Sequence, residues 1–499
     1  MDLLSFILCV LFIWTSVQGL LSIANGTKAS PGKLPPGPAP LPFIGNILKL
    51  SNQPHKSLSD LAKTYGPIMT LKLGQITTVV ISSSTMAREI LQTQDLSFSN
   101  RFVPDAARAR DHHLISVSWL PVSTQWRKLR KILNSHVFSS QKLDAQQQPR
   151  CQKVLELIDF VHSCSKAGVA VDFGQAAFRT SLKLLSNTIF SVNLIDPGSD
   201  IAQQIKELVR GAMEEAGKPN LADYFPFLRK FDIQGIRSRM EIHLGKMFGF
   251  LDSMINKRLE MRKFHGYIKS NDVLDTLLSI SEENSDEIDR IHIQRLLSDL
   301  LAAGTDTTSS TLEWAMAEIL HNPQTLSKAK AEIEQVVGKG KPVEESDIAR
   351  LPYLQAIIKE TFRLHPAVPF LVPRKVDENV EVSGFTVPKG AQVIVNVWAI
   401  GRDPSVWANH ESFMPERFLG SEVDVRGRNF ELLPFGSGRR ICPGMPLAIR
   451  MVHLMLGSLI NLFDWKLEDG ITPEDLNMEE KFGFTLQKAQ PLLAIPIHV

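Results

Sequence analysis

Cysteine is scarce in this chain. There are four in 499 residues (Cys9, Cys151, Cys164 and Cys442), with no C-x-x-C pair and no other zinc-ligand spacing. A zinc module is therefore excluded, and Cys151 and Cys164, in an amphipathic helical stretch, read as reduced, cytosol-facing thiols. Net charge is also small, at +2, which argues against nucleic acid as the main partner. No dinucleotide-binding glycine fingerprint occurs, so the chain is not expected to bind NADPH or flavin itself. Gly338-Lys339-Gly340-Lys341 has the composition of a phosphate loop but neither the strand before it nor the helix start after it, and reads as an exposed turn. Internal repeats and low-complexity tracts are absent, and 43% apolar residues is ordinary for a globular protein. Length alone suggests about three domains. No linker after Pro42 is long enough to separate any, so one domain is expected over 43–499.

The N-terminus differs. From Leu3 to Ile23 the chain is nearly uncharged and mostly apolar, about long enough to cross a bilayer as one helix. A cleaved signal peptide would want a positive start and a small-residue cleavage site, whereas only Asp2 precedes the run. A retained anchor over 1–24 fits better, with Lys28 and Lys33 kept on the cytoplasmic side and the Asn25-Gly26-Thr27 sequon unglycosylated there. Residues 25–42 form a linker ending in Leu34-Pro35-Pro36-Gly37-Pro38, Pro40 and Pro42, a stiff hinge that lacks backbone donors.

Ile68–Gly74 and Ile76–Ile81 alternate apolar and polar residues around Gly74-Gln75 and predict a β-hairpin. A second strand pair is expected at 380–382 and 393–397, bracketing Pro388-Lys389-Gly390. Elsewhere helical periodicity dominates, with helices near 124–137, 141–165, 199–216, 236–262, 288–320 and 351–363. The fold class is thus mainly α with small β-sheets.

The most informative stretch is Phe435-Gly436-Ser437-Gly438-Arg439-Arg440-Ile441-Cys442-Pro443-Gly444, followed by an apolar helical run from Met445 to Phe463. If Cys442 ligates an iron, each neighbour has a use. Gly438 and Gly444 let backbone N–H groups approach the sulfur, and the positive end of the next helix favours a thiolate. Arg440 can pair with an anionic group of the cofactor, and Phe435 can shield the sulfur. The stretch resembles the haem-binding loop of the cytochrome P450 family, F-x-x-G-x-R-x-C-x-G, matching at Phe435, Gly438, Arg440, Cys442 and Gly444. The resemblance implies a haem-thiolate monooxygenase whose axial sulfur favours O–O cleavage. It also implies O2 and NADPH-derived electrons supplied by a partner reductase. A single-pass anchor in the endoplasmic reticulum membrane, with a cytosolic catalytic domain, follows from the microsomal members.

Further motifs carry the same resemblance. Trp126 and Arg130, four apart on one helical face, match the family's propionate-binding W-x-x-x-R, and Arg374 is a further propionate partner. Arg127, Lys128 and Lys131 are candidates for a positive patch facing the acidic reductase. Ala303-Gly304-Thr305-Asp306-Thr307-Thr308 matches the oxygen-activation motif. Gly304 would let the helix open beside the haem, and Asp306 and Thr307 would hold water and deliver protons. Glu360 and Arg363, with Arg417 of Pro415-Glu416-Arg417-Phe418, match a structural triad that locks the Cys442 loop.

Positions corresponding to the family's substrate-recognition regions are mostly apolar: Phe102, Leu114, Leu301, Ala302, Val368, Phe370, Leu371, Phe484 and Leu486. They suit a small lipophile. Ser118-Trp119-Leu120-Pro121-Val122, Pro219–Pro226 and Asp232–Arg237 are similar to plant geraniol 8-hydroxylases and their terpenoid-oxidising relatives. An acyclic monoterpenol hydroxylated at an allylic methyl is the expectation, with a diterpenoid or phenolic/alkaloid hydroxylase as the rival. Two other classes compete. A haem-thiolate enzyme that rearranges peroxides would not need the Asp306-Thr307 pair, and a haem sensor or membrane scaffold would not need the apolar pocket.

Overall fold

The computed structural model describes residues 33–191, 200–270, 272–283, 287–468 and 470–498. The expected anchor over 1–24 and most of the linker lie outside them. Helices dominate, and local chemistry marks their ends. Ser123, Asp172 and Asp289 accept the amides of Trp126, Gln175 and His292 at the starts of Thr124–Ile132, Phe173–Phe190 and Arg290–His321. Pro54, Pro323 and Pro352 occupy first-turn positions where the missing N–H costs nothing.

All six expected helices exist. Two are interrupted: Thr124–Ile132 continues as a π turn over Leu133–Val137, and Gln146 separates Ser140–Ala145 from Gln147–Ala167. The 32-residue Arg290–His321 helix crosses the core and packs along Phe173–Phe190. Among the described residues only Met445–Leu462 is long and apolar enough to cross a membrane, and it is largely buried inside the protein.

The hairpin forms as expected, with Ile68 opposite Ile81 and Leu73 opposite Ile76. It edges a five-stranded sheet in which Ile76–Ile81 runs parallel to Gln392–Val395, followed by Arg374–Lys375 and Asn100–Arg101. The second expected pairing is wrong. Val380–Val382 pairs with Phe385–Val387, because Ser383 and Gly384 both take positive φ (50° and 78°) and close a two-residue hairpin. The 393–395 strand is thereby freed for the larger sheet. Gly338–Lys341 is a turn held by Asn461, whose Nδ2 donates to the carbonyls of Gly338 and Lys341.

The triad closes as expected. Glu360 accepts two bonds from Arg363 (2.7 and 2.8 Å), one from Arg417 Nε (3.0 Å) and one from the Met414 amide (2.8 Å). Arg363 also donates to the carbonyls of Gly401, His410 and Ser412. The triad therefore fastens the 401–417 segment directly. Its link to the cysteine loop runs through Phe362, on the same helix, whose ring meets Phe435 edge-on at 5.2 Å.

Candidate active site

A cavity of about 310 Å³ lies between the Arg290–His321 helix and the cysteine loop, with Cys442 on one side and Ala303, Gly304 and Thr307 on the other. The loop is shaped by backbone constraint. Gly438 has φ +68°, and a Cβ there would lie 2.1 Å from the Leu91 carbonyl oxygen, so only glycine fits. The Cys442 amide donates to the Phe435 carbonyl (3.0 Å), which closes the turn. Burial pushes the Cys442 thiol up, while the amides of Gly444 and Met445 and the Arg130 guanidinium pull it down. These donors aimed at one sulfur are the environment that a metal-bound thiolate requires.

Four guanidinium groups converge on the cavity: Arg101, Arg130, Arg374 and Arg440. Each donates to carbonyls. Arg130 reaches Ile441 (2.8 Å), Arg374 reaches Phe98 (3.0 Å), Arg101 reaches Val372 (2.7 Å), and Arg440 reaches Ser99, Val117 and Leu120. Among the described residues none of the four has a carboxylate within ion-pair distance. Burial lowers all of them, repulsion from neighbouring guanidinium groups adds to it at Arg101 and Arg440, and Arg440 ends at about 9 and Arg374 at about 10. Buried charge without counter-charge is costly, so the arrangement calls for an anionic ligand. One soft sulfur ligand facing a cluster of cations fits an iron porphyrin with two carboxylates on its rim. Arg101 was missed in the sequence because no spacing pairs it with another motif.

Several expected roles need correction. Trp126 lines the cavity, but its Nε1 donates to the Val117 carbonyl (3.2 Å), and its ring lies under the guanidinium of Arg440 (4.5 Å). It supports an arginine rather than offering a free donor. Gly304 does not open the helix, which is continuous through this segment. Thr305, Thr307, Thr308 and Thr311 each donate to the carbonyl four residues back. Gly304 instead admits the neighbouring helix, since a Cβ there would lie 2.8 Å from Leu185 Cδ1. Thr307 faces the cavity. Asp306 does not; it is buried on another face, where Gln487 Nε2 donates to it at 3.0 Å and burial raises its pKa.

Of the nine expected pocket residues, Val368, Leu371 and Phe484 line the cavity. Leu114 is 59% exposed on the outer surface, and Leu301 and Leu486 are fully buried core. Phe102 and Ala302 are also off the cavity wall, and Phe370 packs against Phe482. The wall instead takes Val117, Met213, Leu300 and Ala367, together with one acid, Asp299.

The comparisons agree with this geometry. The family model described as Cytochrome P450 matches residues 35–494. The chain is 59% identical to a geraniol 8-hydroxylase of Catharanthus roseus over 496 residues, 99% of each chain. It is 58% identical to a geraniol 8-hydroxylase of Swertia mussotii, again over 99% of each. It is 52% identical to a drimenol monooxygenase of Persicaria hydropiper, over 100% of this chain and 98% of that one. A thiolate loop, a cationic rim and an end-to-end match of this depth make the protein a member of the cytochrome P450 family, a haem monooxygenase that uses O2 and NADPH-derived electrons passed on by a reductase.

Proposed function

We propose that this monooxygenase hydroxylates an acyclic monoterpenol, geraniol in the first instance, at the allylic C8 methyl. The observation that carries the reading is the 59% identity to a geraniol 8-hydroxylase over 99% of both chains. The apolar walls of the cavity (Val117, Met213, Leu300, Val368, Leu371 and Phe484) support it, because they suit a small lipophile. When bound, the haem supplies oxygen activation: one atom of O2 enters a C–H bond and the other leaves as water, with two electrons and two protons consumed. The residues of the chain do the rest. Cys442 holds the iron, Arg101, Arg130, Arg374 and Arg440 hold the propionates, and Phe435 with Pro443 keeps water from the sulfur. Thr307, whose hydroxyl donates to the Ala303 carbonyl at 2.8 Å, would accept a hydrogen bond from a water in the cavity and so hold a proton source beside the haem site. Residues 1–24 anchor the protein in the endoplasmic reticulum membrane, 25–42 act as the hinge, and 43–499 form the catalytic domain.

The test uses microsomes carrying the full chain and a plant reductase, supplied with NADPH and a terpenoid panel. The expected product is 8-hydroxygeraniol, and Thr307→Ala is expected to consume NADPH with little product. Turnover of bicyclic or diterpene substrates with silence on geraniol would replace the substrate; the 52% identity to a drimenol monooxygenase makes a larger terpenol the second reading.

A further inference from the structure

Asp299 is the one carboxylate among the described residues lining the cavity, whose wall is mostly apolar. A carboxylate there needs a reason, because burying one without partners is costly. Two partners are visible. Ser116 Oγ is 2.9 and 2.7 Å from the two oxygens, and His112 Nε2 is 3.1 Å from Oδ1. Ser116 and His112 are themselves buried. A serine hydroxyl carries one proton and an imidazole nitrogen at most one, whereas a carboxylate has about four acceptor sites. The loop therefore fills at most two of them, and Asp299, a residue of the cavity wall, keeps acceptor capacity to spare.

We infer that Asp299 accepts the hydrogen bond of the substrate's hydroxyl group, with Ser116 and His112 as positioning residues that fix its rotamer. This deepens the monoterpenol reading and rests on it. Asp299, Ala303 and Thr307 follow one another at four-residue intervals on one helix and all face the cavity. Asp299 is thus about 6 Å from Ala303 and about 12 Å from Thr307 along the axis. An extended chain advances about 1.2 Å per bond, so the hydroxyl oxygen of geraniol and its C8, about eight bonds apart, are separated by about 10 Å. That span falls between the two helix distances. Anchoring the alcohol at Asp299 delivers the far methyl, rather than the nearer allylic positions, to the region between Cys442 and Thr307. The oxidation then occurs at the end remote from the existing hydroxyl.

The test is a two-by-two comparison on the haem-loaded full chain in lipid nanodiscs. Binding of geraniol and of the hydrocarbon with the same skeleton but no hydroxyl is measured by equilibrium dialysis, in the wild type and in Asp299→Ala. The wild type is expected to prefer the alcohol by about tenfold after correction for partitioning, about 1.4 kcal/mol. The variant is expected to lose that preference and to spread its products over other allylic positions. If Asp299 only latches its loop, both ligands weaken together and the preference survives, which overturns the inference. Ser116→Ala guards against a folding artefact: it loosens the same loop but leaves the acceptor, with His112 still holding Oδ1, so a reduced preference for the alcohol should persist where Asp299→Ala abolishes it. Equal binding of both ligands by the wild type, with 8-hydroxygeraniol still formed, removes the anchor and leaves the monoterpenol reading standing. Failure of the wild type to bind geraniol at all sinks both.

Discussion

Glu360→Gln is expected to destabilise the protein severely, and the size of the effect separates two views of the Glu360–Arg363 pair. A solvent-exposed ion pair three residues apart on a helix contributes about 0–1 kcal/mol. This pair is not exposed: Glu360 and Arg363 are 0% and 1% accessible. Glu360 collects four hydrogen bonds, two from Arg363 and one each from Arg417 and the Met414 amide. Glutamine keeps one oxygen, which in the Oε1 position still accepts from both the Met414 amide and Arg417. It also turns an N–H2 group towards the Arg363 guanidinium, donor against donor. Arg363 keeps its three carbonyl partners but loses its counter-charge while remaining buried. Breaking a buried pair from one side costs about 3–5 kcal/mol, a large part of the ~5–15 kcal/mol that holds a folded protein together. Reversible denaturant titration of the haem-loaded protein, followed by tryptophan fluorescence, measures the change. Trp407, which lies near the guanidinium groups of both Arg363 and Arg417, reports on the same segment. Haem loss should track unfolding, because Phe362 ties this helix to Phe435. A change below about 1 kcal/mol would refute the buried-lock argument, whatever happened to activity.

Three further outcomes follow from the site. Cys442→Ala should abolish the red-shifted Soret band of the ferrous carbon monoxide complex; a surviving band would remove Cys442 as the iron ligand. Arg374→Gln keeps a donor for the Phe98 carbonyl while relieving repulsion on Arg101 and Arg440. The haem-free protein should be no less stable, yet haem transfer to apomyoglobin should be faster, and an unchanged rate would show that Arg374 does not hold the propionate. Burial raises Glu313 from 4.5 to about 7, so the folded protein holds a proton there that the unfolded chain has released. Stability from this group is full below about pH 4.5 and declines as pH rises towards 7. Glu313→Gln should flatten that part of the pH–stability curve, and an unaltered slope would reject the assignment.

Much of the fold and the ligand loop was legible in the sequence because short-range rules control them. The Ile68–Ile81 hairpin, the long helix through Ala303–Thr308 and the glycine pattern around Cys442 follow from periodicity and from backbone positions that only glycine adopts. Strand pairing at 380–395 was not legible from spacing alone. A two-residue turn at Ser383-Gly384 competes with the more conspicuous Pro388-Lys389-Gly390, and it is the shorter loop that joins paired strands.

The misreadings inside the site share one physical cause: a motif identifies a residue's position on the chain but not the direction of its polar atom. Asp306 and Thr307 are adjacent, so on a helix they lie about 100° apart, and the arc that lines the cavity takes Thr307 and Thr308 but not Asp306. Asp306 turns to Gln487 instead. Trp126 and Arg130 share a face as their spacing requires, yet the loop carbonyl of Val117 takes the indole N–H. Asp299 went unnoticed for the converse reason, since an acid eight residues before Thr307 has no meaning until the loop bearing His112 and Ser116 folds over it. Most residues assigned to the cofactor are thus recognisable in sequence, Arg101 excepted, because a fixed group demands fixed spacing. Residues that hold the substrate are assembled from separate elements, and they emerge only when the cavity wall is complete.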